Sequence, residues 1–127
     1  MELSVSFVGI GNTTEREIVA LTQTVQDALR RAPGAELLGP VRRPAPEGTK
    51  GGVFEEIGSF LLTAAPAALK QLLPLLKSVL TRPGQPMTEV IIEDRGSKAT
   101  FKFNPKDVTL QDLVDNVLRL RETPNRS

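Results

Sequence analysis

The residues with chemistry to offer fall in three places along the chain. Between an alternating apolar stretch and the start of a helical pattern lies Gly9-Ile10-Gly11-Asn12-Thr13-Thr14. Glycines let a backbone close on an anion, and the end of a helix adds free N–H donors and positive dipole. Gly9, Gly11, Asn12, Thr13 and Thr14 are therefore a candidate anion-binding turn. The pattern completes neither a G-x-G-x-x-G nor a G-x-x-x-x-G-K-[ST] motif, and Glu15 and Glu17 would repel a phosphate. A tight turn leading into a capped helix is the plainer reading. The second place is the connector PAPEGTKGG, 44–52, with Arg42 and Arg43 before it and Glu47 and Lys50 within it. These four are the candidate partner-binding residues, since connections of this length carry function more often than short ones. No aromatic residue stands beside them to stack a base. The third place is Glu89, Glu93 and Asp94, near Lys98, Lys102 and Lys106. Paired carboxylates are the groups of acid–base catalysis. Here Glu89 and Glu93 alternate with Val90 and Ile92, which predicts an outer face and cross-strand pairing with the lysines.

What is missing narrows the chemistry further. The chain has no Cys and no His, so there is no thiolate nucleophile, no imidazole base, no Ser-His-Asp triad and no Cys or His metal ligand. A non-enzymatic protein without metal or cofactor is expected. The net charge is +1, so the whole chain carries no electrostatic footprint for nucleic acid, and none is expected as a partner. At 127 residues the length suits one domain, expected over 1–122 with a flexible tail at 123–127. No basic segment precedes an apolar run at the start, so a cytoplasmic location is expected.

The elements that must position these residues follow from periodicity. Glu2–Val8 alternates, with Leu3, Val5 and Phe7 on one side, and predicts a half-buried strand. A helix follows, with Ile18, Leu21, Val25, Ala28 and Leu29 at spacings of three and four. Thr14 with Glu17 fits a capping box, and Asn12 with Glu15 is an alternative. Residues 35–43 predict a second strand, broken at Gly39-Pro40 and so at an edge or bulged. Residues 87–94 and 98–103 predict a hairpin across Arg95-Gly96-Ser97, with Val90, Ile92, Ala99, Phe101 and Phe103 inward. Thr109 caps a last helix over 110–121.

The most apolar stretch, IGSFLLTAAPAALKQLLPLLKSVL (57–80), has at most 13 residues, Ile57 to Leu69, without a charge. A membrane span needs about 20. At 100° per residue the lysines and both prolines fall on one stripe, so a helix over 53–81, bent or broken at Pro66, is expected to lie across a sheet. Leu61, Leu72 and Leu76 should be buried, and Lys70 and Lys77 exposed. The order is then β-α-β-α-β-β-α: an α+β domain with one four-stranded mixed sheet, helices packed against it and a long central amphipathic helix.

This order resembles that of the bacterial effector-associated constant component domain. The resemblance runs from LSVSFVG to DLVDNVLRL. Between them come the connector GPVRRPAPEGTKGG, the Ala- and Leu-rich FEEIGSFLLTAAPAALKQLLPLLKSVL and a hairpin turn DRGS. The resemblance implies a small adaptor of bacterial conflict (immunity) systems. Such an adaptor couples a sensor or regulator to an effector by protein–protein contact. Its implied partners are an effector, a peptidase or an NTP-dependent regulator encoded nearby, with self-association as one route. Two other readings stand beside it: a nucleotide- or phosphate-responsive regulator using the 9–14 turn, and a membrane-surface module using the long helix.

Overall fold

The computed structural model describes residues 1–39, 42–44, 53–55 and 58–121, the two three-residue pieces as backbone. In chain order the elements are β1 (Glu2–Gly9), α1 (Glu15–Arg30), β2 (Ala35–Gly39), β3 (Arg42–Pro44), β4 (Val53–Glu55) and β5 (Ser59–Ala64). Then come α2 (Pro66–Leu80), β6 (Thr88–Asp94), β7 (Thr100–Phe103) and α3 (Leu110–Leu120). The expected tail, 123–127, lies outside the described residues.

Five strands form one sheet in the order β2-β5-β1-β6-β7, and every neighbouring pair is antiparallel. β3 and β4 pair separately as a two-stranded ribbon. β1-α1-β2 and β5-α2-β6 are two split β-α-β units, each enclosing a strand of the other, which is the ferredoxin-like arrangement. β7 and α3 extend it. The alternation of β1 is realised, with Leu3, Val5 and Phe7 all buried. Val5 is in register with Phe60 on one side and Ile92 on the other, so these residues share one face.

That face carries all three helices. α1 contributes Ile18, Leu21, Val25 and Leu29 to the core, α2 contributes Leu69, Leu72, Leu73, Leu76, Val79 and Leu80, and α3 contributes Leu113, Val117 and Leu120. α2 packs against both α1 and α3. Removing each large aliphatic side chain from water contributes about 1.5–3 kcal/mol, which orders a mainly aliphatic core.

Two expectations are corrected. The four-stranded mixed sheet is a five-stranded antiparallel one, because β5 sits between β1 and β2 and keeps that parallel pair apart. The helix expected over 53–81 begins only at Pro66. Residues 59–64 are instead strand β5, with Phe60, Leu62 and Ala64 buried and Leu61 and Thr63 half-buried. A run with few polar residues satisfies a period of two as well as one of 3.6. Proline then decides the boundary: it disfavours helical backbone at Ala65, and at the first helical position its missing N–H costs nothing. Pro74 sits inside α2, half-buried, without ending it.

Leu72 and Leu76 are buried and Lys70 is exposed, as the helical angle required. Leu61 is not in the core: it belongs to β5 and lies on the sheet's other face. Lys77 is half-buried, and its Nζ donates to the Pro105 carbonyl at 2.9 Å, tying α2 to the segment after β7.

Candidate functional site

The turn after β1 is held by bonds that its own sequence supplies. The Glu17 backbone N–H donates to Thr14 Oγ1 at 3.2 Å, and the Thr14 N–H donates back to Glu17 Oε1 at 3.1 Å. This is the capping box, and the Thr14–Glu17 pair forms it rather than Asn12–Glu15. Thr13 Oγ1 donates to the Met87 carbonyl at 2.9 Å, and the Ile10 N–H reaches the same oxygen at 3.0 Å. Gly11 has φ +65° with open space where a Cβ would stand, so the left-handed bend is what requires glycine there. The structure thus brings Gly9, Gly11, Asn12, Thr13 and Thr14 into one turn with several donors already engaged. An anion would have to displace the Glu17 carboxylate from Thr14. Val8, Ile10 and Met87 are exposed at this end of the sheet.

The connector residues divide. Arg42 and Arg43 are positions of β3, in register with Glu55 and Phe54 of β4, so an aromatic position does stand opposite Arg43, contrary to the expectation from sequence. Glu47 and Lys50 lie outside the described residues. β2 pairs with β5 as the edge of the main sheet, and the two strands of the ribbon are the next described pieces beyond their ends. β2 also carries the irregularity its sequence forecast: the register shifts between Leu37 and Gly39, leaving Leu38 as an extra, exposed residue.

The β6–β7 hairpin places the acidic residues. Glu89, Ile91 and Glu93 alternate away from the helices, and Ile91 is in register with Lys102. The expected Glu–Lys pairing does not form. Among the described residues the only ion pair is Arg30 with Asp27 at 3.1 Å. The register explains this: Lys102 faces Ile91 directly, and each glutamate lies one diagonal step away, a separation of about 7–8 Å. Asp94 is buried and accepts from the Gly96 N–H at 2.9 Å, an Asx turn that starts the hairpin loop. Lys98 closes the loop at φ 62°. Ser97 Oγ donates to the Leu120 carbonyl at 2.7 Å, fixing the loop to the end of α3.

No group of three or more Asp or Glu among the described residues is placed to hold a metal ion. Under α2 lies an apolar void of about 10 Å³ beside Leu3, Val5, Leu62, Leu72 and Ile92. That is room for about one water-sized sphere and for no organic ligand. Among the described residues no helix is long and apolar enough to cross a membrane. Comparison with family models, with curated proteins and with solved structures finds no match to this chain.

Sequence reasoning missed β4, β5 and the ribbon. The signal for β5 was present in the alternation of Phe60, Leu62 and Ala64 just before a proline.

Proposed function

We propose that this chain is a non-enzymatic adaptor that couples a sensor or regulator to an effector by protein–protein contact. The bacterial conflict system implied by the resemblance is its setting, and the cytoplasm its location. The observation that carries the reading is the β3–β4 ribbon. It is a paired element outside the five-stranded sheet, it falls in the chain between the edge strand β2 and its neighbour β5, and it contains Arg42 and Arg43. The lack of His and Cys in the whole chain agrees with a binding role.

The partner is an effector, a peptidase or an NTP-dependent regulator encoded beside this chain. The test is co-purification with those neighbours. Arg42→Glu with Arg43→Glu should lower recovery of the partner about tenfold, as reversal of contact charges does, and leave the unfolding midpoint unchanged. Equal recovery by the double variant removes the ribbon from the contact. If the neighbours fail to associate with the wild-type chain at all, the adaptor reading falls.

A further inference from the structure

The sheet's second face has a chemistry of its own. Its floor is β1, where Ser4 and Ser6 point away from the helices. Leu61 of β5 flanks Ser4 on one side, and Ile91 of β6 flanks Ser6 on the other. Glu93 stands beside Ser4, and Glu89 beside the exposed Val8. At the opposite end Glu2 and Glu36 are both in register with Thr63, and both are exposed. The face is therefore a low serine floor with one apolar residue on each side, Leu61 between Ser59 and Thr63 and Ile91 between Glu89 and Glu93, and with carboxylates along one side and at one end. Lys102 is the basic strand residue that accompanies them.

None of these four glutamates forms an ion pair among the described residues. No described helix lies on this face, since all three pack on the other. Ser4 is only 3% exposed although it points away from the core, and no described group hydrogen-bonds its hydroxyl. A buried hydroxyl without a partner is costly unless something completes it.

We propose that this face is a docking trough for a cationic amphipathic segment of a partner protein. Its apolar stripe would rest on Leu61, Ile91 and Val8, and its Lys or Arg residues would meet Glu2, Glu89 and Glu93. From Glu2 to Val8 the floor runs about 20 Å, the length of about 13 helical residues. Charge complementarity selects this occupant. A second copy laid face to face would set glutamates against glutamates, and an anionic lipid surface would be repelled in the same way. The proposal goes beyond the adaptor reading and uses none of the ribbon's residues.

The test uses the full chain and three 14-residue helical probes. The first has a leucine stripe flanked by lysines, the second the same stripe flanked by glutamates, the third the same lysines with serine for leucine. The Leu/Lys probe should bind and shift the amides of β1, β5 and β6, with the helix amides unmoved. Glu89→Lys with Glu93→Lys should weaken it at least tenfold, and Ile91→Ser, which leaves the charges intact, about fivefold. The Leu/Glu and Ser/Lys probes should bind at least tenfold more weakly. The proposal is overturned if the Leu/Lys probe does not bind, if Ser/Lys binds equally well, or if the shifts map to the helices. It is equally overturned if affinity survives both substitutions, or if the chain self-associates through this face.

Discussion

Gly58 shows how a single residue can decide an element. It stands at φ +78°, and a Cβ there would lie 2.7 Å from Ile18 Cγ2 and 3.0 Å from the Phe7 carbonyl oxygen. Its own carbonyl accepts from the Phe7 N–H at 2.8 Å, so it opens β5 at the point of closest approach to β1. Gly58→Ala should cost about 2–5 kcal/mol, the sum of left-handed strain and overpacking. Chemical denaturation followed by far-ultraviolet circular dichroism would measure it, and a loss below 1 kcal/mol would mean that α1 and β1 yield easily. Nothing in the sequence marked Gly58, because it sat inside an expected helix. The capping box at Thr14 and Glu17 was legible, because its bonds run between residues three apart and need no distant partner.

At the scale of elements, α2 begins without a side-chain cap. Ala65 has the extended backbone of an N-cap, φ −70° and ψ 153°, but no oxygen to offer the first-turn N–H groups, and no acidic residue stands in that turn. α1 and α3 both begin at a threonine whose hydroxyl accepts from the third helical residue. Ala65→Asp should therefore stabilise the protein by about 1 kcal/mol through a new cap and a favourable charge at the dipole. A rise in the urea midpoint with an unchanged slope would confirm it. A fall would show that Ala65, exposed as it is, has no room for the carboxylate. The three helices differ in how well their sequences revealed them. α1 and α3 have polar and apolar residues in sufficient number to fix a period of 3.6. The 57–80 stretch is too uniformly apolar to fix a period, and a strand–proline–helix sequence took the appearance of one bent helix.

For the molecule as a whole, one core joins α1, α2, α3 and the inner face of all five strands, with α2 in the middle. Leu72 is among its fully buried side chains. Leu72→Ala should cost about 2–5 kcal/mol. Because the core is shared, amide exchange should speed up in β7 and α1 together, and acceleration confined to α2 would show that the layers unfold separately. The two faces of the sheet assign different work at this scale. The helix-covered face supplies stability, and the other face, acidic and partly apolar, carries no described helix.

The sequence by itself determined the α+β class, the outer helices with their caps, the β6–β7 hairpin, the inward residues of β1 and the irregularity in β2. Each rests on neighbours within a few positions or on a period that polar residues mark. It also removed imidazole and thiol chemistry, since no fold can supply a residue type the chain lacks. Tertiary structure alone decided that 59–64 is a strand. A uniformly apolar segment takes the form its surroundings complete, and here β1 and β2 offered unpaired edges on both sides. That insertion made the sheet wholly antiparallel. Through β5, Glu36 also joins the face on which the β1–β6 register sets Glu2, Glu89 and Glu93, a juxtaposition that depends on register between strands far apart in the chain.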